Sequence, residues 1–195
     1  MATTDSFALA PIAGAEVAGL ATLWPKASTA IVLKLVEPMQ VLSLRHLPGG
    51  GASALSAVMA RHTLPGLPGP GHSCGVEPWL IWRSPNEILL LTQDADLASA
   101  LLAELRPAPG ALACALDLSA GTLVVKLQGG NVGPLLSRLV DAHALPRGTD
   151  QASRVRLADI AAVVWRDTSD QVCLLVDRAN GHYLARWLSY AADAI

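Results

Sequence analysis

Gly129-Gly130-Asn131-Val132-Gly133 follows an apolar, strand-like run and opens a helix-like one. Backbone amides exposed at such a junction can hold a phosphate. The run matches neither GxGxxG nor the GxxxxGK loop that ends in Ser or Thr. Gly49-Gly50-Gly51 takes the same place earlier in the chain, so a tight turn needing positive φ accounts for both. Five histidines (His46, His62, His72, His143, His182) form no HxxxH or HExxH pair. His62 and His143 are expected to end equivalent helices, where a histidine suits the helix dipole. His72 and Cys74 lie two apart in a glycine-rich loop, a spacing in which a base and a nucleophile seldom converge on one atom.

Asp117 and Asp177 are the acidic residues expected to be partly enclosed. Asp117 sits between apolar neighbours in ALDLSAG. An enclosed carboxylate there could act as a base or bind an amino-pyrimidine edge. The bland alternative is an aspartate accepting backbone amides at a strand end. Asp94 (or Asp96) and Asp177 precede the last helix of each half and read as N-caps or flanking charges. Five tryptophans stand against one phenylalanine. Trp82 and Trp165 read as core, and Trp79 as core or interface anchor. Cys74, Cys114 and Cys173 are isolated from one another, so reduced thiols in the cytoplasm are expected, without disulfides or a metal site.

These residues need a scaffold, and the chain spells it twice. VLSLRHLPGG is answered by TLVVKLQGG, with Gly49-Gly50 mapping onto Gly129-Gly130; WLIWRSPNEILLL is answered by VVWRDTSDQVCLLV, with Trp82-Arg83 mapping onto Trp165-Arg166. The fold class expected is α+β, two tandem β-α-β-β-α copies about a pseudo-twofold. Residues 1–27 form an N-terminal arm, 28–110 the first copy and 111–195 the second, the copies joining in one compact domain. Within the first copy, 28–38 and 41–47 alternate apolar and polar residues and suggest a hairpin around Pro38. Ser53 is the candidate cap of the helix that follows, and 64–75 is too rich in proline and glycine for regular structure. In the second copy, a helix is expected over Pro134–His143 and a single strand over VRLADIAAVVWR. The final helix is expected to carry Tyr183, Leu184, Trp187 and Leu188 on one apolar stripe.

Hydrophobic residues are 52% of the 195, charged ones 15%, and mean hydropathy is +0.40. No apolar run reaches the roughly 18–20 residues of a membrane span, and the start carries no basic segment of a secretory signal. The apolar surplus is expected to go into a core or a protein interface. With a net charge of −2 and no basic stripe, neither nucleic acid nor membrane is expected as partner.

The second copy resembles the gamma subunit of heterotetrameric sarcosine oxidase, through DLSAGTLVVKLQGGNVGPLLSRLVDAHALPRG, RVRLADIAAVVWR and LLVDRANGHYLARWL. The first copy fits the same family through WLIWRSPNEILLL, and the resemblance spans roughly 28–190. It implies the folate-binding aminomethyltransferase-type fold and an accessory role beside a large flavin- and folate-binding alpha subunit, with beta and delta subunits. FAD, FMN, NAD and tetrahydrofolate would sit on those partners, where sarcosine is demethylated to glycine. No catalytic residue carries over. DQASRVRLAD stands where folate-binding relatives have KGCYxGQE, and no dinucleotide fingerprint is present. A related N-methylglutamate dehydrogenase-type complex is an alternative. So is a stand-alone tetrahydrofolate-binding protein or aminomethyltransferase-like enzyme, for which Asp117 is the pocket candidate. A homo-oligomeric module would instead give a dimer of the isolated chain.

Overall fold

The computed structural model describes residues 31–36 and 39–192, and among these residues period-two alternation of apolar side chains builds ten strands. The N-terminal arm and the turn at Pro38 lie outside the described residues. The strands are β1 (Val32–Leu35), β2 (Gln40–His46), β3 (Ser73–Cys74), β4 (Trp79–Ser84), β5 (Glu87–Thr92), β6 (Ala113–Asp117), β7 (Thr122–Gln128), β8 (Ala152–Leu157), β9 (Ile160–Thr168) and β10 (Gln171–Asp177). Among the described residues four α-helices accompany them: α1 (Gly51–Arg61), α2 (Ala95–Glu104), α3 (Val132–Leu136) and α4 (Gly181–Ala192). The protein is of mixed α+β class with two antiparallel sheets.

One sheet runs β1-β7-β10-β9-β8, and the other, read from its far edge, β6-β2-β5-β4-β3. The expected β1–β2 hairpin does not form. β1 pairs with β7 (Val32 opposite Gln128), and β6 pairs with β2 (Leu42 opposite Asp117). The first strand of each half thus joins the sheet of the other half. β1 gains from this by packing Leu33 and Leu35 against the cluster under α3 and α4. The two sheets also meet at their other edges. His72 bridges Gln151, with Ser73 N–H on the Asp150 carbonyl at 2.9 Å and Ala152 N–H on the Gly71 carbonyl at 3.0 Å.

Alternation along the strands divides the apolar residues among three clusters. Leu123, Val125, Leu127, Val164 and Leu174 meet Leu135 of α3 and Leu184 and Leu188 of α4. Leu42, Leu44, Leu80 and Leu90 meet Leu55, Val58 and Met59 of α1 and Leu101 of α2. The opposite faces of both sheets supply the third: Val41, Trp79, Ile81 and Leu89 from one, Val124, Val163, Trp165 and Cys173 from the other. The layers therefore run helix, sheet, sheet, helix, and both sheets are covered on both faces. This is where the 52% hydrophobic content goes.

Several local expectations are corrected. α1 begins at Gly51, not after Ser53, with Gly50 at φ 138° before it and no side-chain cap. A Cβ on Gly51 would lie 2.5 Å from the Leu112 carbonyl oxygen, so the chain must enter this helix through glycine. The helix expected over 134–143 is only Val132–Leu136. Arg138 and Leu139 N–H then turn to carbonyls three residues back, and the Asp141 side chain starts a separate short turn by accepting the His143 N–H at 2.9 Å. VRLADIAAVVWR is two strands, reversed at Ala158 (φ 44°) and Asp159 (φ 74°), with Leu157 opposite Ile160. Within 64–75, expected to be irregular, Ser73 and Cys74 add the short edge strand β3 against β4. Asp94 does cap α2, its Oδ1 accepting the N–H groups of Asp96 and Leu97 at 2.9 and 3.0 Å.

Candidate functional site

The inner layer between the sheets is apolar in its middle and polar at both ends. Inward positions of β2 run Val41, Ser43, Arg45, and those of β4 run Trp79, Ile81, Arg83. Where they turn polar, the sheets part around a cleft of about 370 Å³. Arg45 and Arg83 line it from one side, and Arg154, Val163 and Leu175 from the other. Asp117 and Asp177 stand at its edge.

Glu87 holds the two arginines of the first wall. Its side chain is 14% exposed, and Oε1 accepts the Ser43 hydroxyl at 2.5 Å, Arg83 Nη1 at 3.0 Å and Arg45 Nη2 at 3.4 Å. Arg45 Nε also donates to Ser43 Oγ at 3.2 Å. Ser43 itself is fully buried, as only a fully hydrogen-bonded hydroxyl can be without penalty. On the facing strand β8, Arg154 has no hydrogen bond or ion pair with a described residue.

Asp117 lines this cleft, but it is exposed, as is Asp177, so neither carboxylate is enclosed as expected. Both end strands where the chain leaves its sheet. Asp117 Oδ1 accepts the Ser119 N–H at 2.8 Å and its hydroxyl at 2.5 Å, the strand-end role that its neighbours allow. Asp177 precedes the 3₁₀ turn Arg178–Asn180 without a side-chain capping bond. A folate reading asks for a buried carboxylate aimed into the cleft, and Asp117 does not supply one.

The opposite end of the layer holds a polar group that sequence reading missed. Lys126 Nζ meets Asp167 Oδ2 at 2.5 Å, Trp79 Nε1 donates to Asp167 Oδ1 at 3.3 Å, and Nζ lies 5.7 Å from the centre of a Trp79 ring. Trp79 is therefore a core residue, set edge-on to Trp165 with centroids 6.3 Å apart. Burial beside this pair pushes the Cys173 thiol up to about 12, with smaller opposing effects from Lys126 and Asp167. A thiol so held stays protonated and is no nucleophile. Lys126 sits at an inward strand position, the one signal that could have marked it.

The remaining candidates do not assemble. His72 turns to Asp150, its Nδ1 3.1 Å from the carbonyl oxygen, while Cys74 Sγ donates to the Gly66 carbonyl at 3.2 Å and burial raises its pKa. The Gly129–Gly133 turn opens a helix of five residues, and its Gly129 and Val132 amides are bonded to the carbonyls of Asp170 and Gly129. Among the described residues no group of three or more His, Cys, Asp and Glu side chains is placed to hold a metal. No helix is long and apolar enough to cross a membrane.

His62 and His143 do not end matched helices. His62 follows α1, whereas His143 lies in the separate short turn Ala142–Ala144. His62 Nε2 meets Glu104 Oε2 at 2.8 Å, and Arg61 also pairs with Glu104. The hydrogen bond from Arg61, and then that from His62, lowers the Glu104 pKa below 4.5. A depressed carboxylate pKa contributes stability above the unfolded value, and this is lost as pH falls through the folded one. Carbon-detected NMR titration is expected to give Glu104 a pKa below that of a free glutamate, returning upwards in Arg61→Ala. An unshifted native titration would contradict the contact.

On the outer face of α4, Tyr183, Trp187 and Tyr190 form an edge-to-face ladder with centroids 6.2 and 5.7 Å apart. Tyr183 and Trp187 were expected on the buried stripe with Leu184 and Leu188. They stand outside it, and Tyr190 is 69% exposed. Gly181, Leu184, Ala185, Leu188, Ala191 and Ala192 make the buried face.

Two antiparallel sheets in this order, faced by helices, define an aminomethyltransferase-type fold. The glycine cleavage system aminomethyltransferase T from Bartonella henselae superposes with TM-score 0.56 at 18% identity, over 88% of this chain and 48% of that one. A chain of heterotetrameric sarcosine oxidase from Corynebacterium sp. U-96 matches with TM-score 0.76 at 27% identity, over 91% of both chains. The resemblance to the sarcosine oxidase gamma subunit carried by the sequence thus extends to the three-dimensional structure. No family model matches the sequence, and no curated protein matches it.

Proposed function

We propose that the chain is an accessory subunit of a sarcosine-oxidase-type complex, acting in the cytoplasm beside large flavin- and folate-binding subunits. The observation that carries this reading is the likeness over 91% of both chains to a subunit-sized chain of heterotetrameric sarcosine oxidase. In this reading the flavins, NAD and tetrahydrofolate belong to the partners, and the fold is an internal duplication. The matching order of the two sheets supports the duplication. The exposed ladder Tyr183–Trp187–Tyr190 is of the composition that protein interfaces favour, which supports a subunit role.

Co-expression with the large flavoprotein subunit is expected to give a single co-eluting complex on size exclusion. The chain alone is expected to show no flavin absorbance and no demethylation of sarcosine. Separate elution at micromolar concentrations would sink the assignment. Activity of the chain alone would favour a stand-alone enzyme.

A further inference from the structure

We propose that the cleft between the sheets binds a small oxyanion ligand, a carboxylate or a phosphate, between Arg154 on one sheet and Arg45 and Arg83 on the other. All three arginines line the cleft, and they come from three different strands. A guanidinium carries five donors in a planar fork that matches an oxyanion. Only part of this capacity is used here. Arg83 gives Nη1 to Glu87, while Arg45 gives Nη2 to Glu87 and Nε to Ser43. Glu87 thus fixes both side chains in place and offsets one of their two charges. Arg154 has no bonded partner among the described residues, although its sheet faces the cleft directly.

Two carboxylates also line the cleft. Asp117 is committed to Ser119 through Oδ1, and Asp117 and Asp177 are both exposed at strand ends, where water and salt screen them. Glu87 and Arg83 are the more enclosed charges, with 14% and 31% of their side chains exposed. The cleft volume of about 370 Å³ lies at the small end of ligand sites, which favours a compact molecule.

The test is thermal melting and calorimetry of the full chain with sodium phosphate and, separately, disodium succinate, at constant ionic strength against sodium chloride. A saturable rise in melting temperature with either probe, absent with chloride, is the expected result. Response to phosphate alone identifies a phosphate-bearing ligand, and response to succinate alone a carboxylate. Arg154→Ala is expected to weaken binding at least about 10-fold, the scale of a lost charge-assisted hydrogen bond. Because Arg154 is exposed, the variant is expected to melt like the parent without ligand. No saturable response to either probe, or equal affinity in Arg154→Ala, overturns the proposal. It does not depend on assembly with partner subunits.

Discussion

Trp165→Ala is expected to cost about 3–5 kcal/mol of unfolding free energy. Trp165 has no solvent exposure and lies in the layer where both sheets meet, against Trp79 and beside Cys173. Truncation there opens a cavity between two sheets whose opposite faces are already fixed by helices, so little of it can collapse. The indole also carries a penalty, because its buried Nε1 has no hydrogen-bond partner among the described residues. An unpaired buried donor costs about 1–3 kcal/mol. Trp165→Phe removes that donor but refills most of the cavity with a ring, and is therefore expected to cost much less than Trp165→Ala. Urea unfolding of both variants decides it. A phenylalanine variant as unstable as the alanine one would mean that filling the space between the sheets is not what Trp165 contributes.

The same residue shows what the sequence could and could not tell. Trp82-Arg83 and Trp165-Arg166 align by pattern, yet Trp82 packs under the helices while Trp165 faces the other sheet. Arg83 lines the cleft, whereas Arg166 Nε donates to the Pro146 carbonyl at 2.7 Å. Strand side chains alternate with period two, so a repeat misaligned by one residue exchanges the faces. Strand positions were legible because alternation is a local property. Pairing was not, since nothing local says that β1 and β6 join the opposite sheets. The turn at Ala158–Asp159 was missed because it lacks the glycine or asparagine that commonly marks positive φ.

The cleft was legible only through Asp117 and Asp177 at its edge. Ser43 and Arg45 were read as the polar face of a half-buried strand, which is correct for one sheet alone. A second sheet stacked on that face turns it into an interior wall, with Ser43 fully buried. The three arginines lie far apart in sequence, and only sheet stacking brings them together.

Lys126→Ala is the second large effect, expected to cost about 3 kcal/mol. Breaking a buried pair by removing one partner costs about 3–5 kcal/mol, and the low end applies because Lys126 keeps 22% of its side chain exposed. The cost falls on what remains. Asp167 is 9% exposed, and without Lys126 its charge would keep only the Trp79 N–H as a described side-chain partner. Asp167→Ala strands the ammonium instead, although Trp79 still offers its ring face. Replacing both with Lys126→Met and Asp167→Leu leaves no stranded charge and is expected to cost less than the two single changes together. A double-mutant cycle in urea measures this directly. Additivity within about 0.5 kcal/mol would show that the two groups act independently, and the ion pair would then contribute nothing to holding β7 and β9 together across β10. A coupling above about 1 kcal/mol that persists in high salt would place the pair in the interior, where ions screen little.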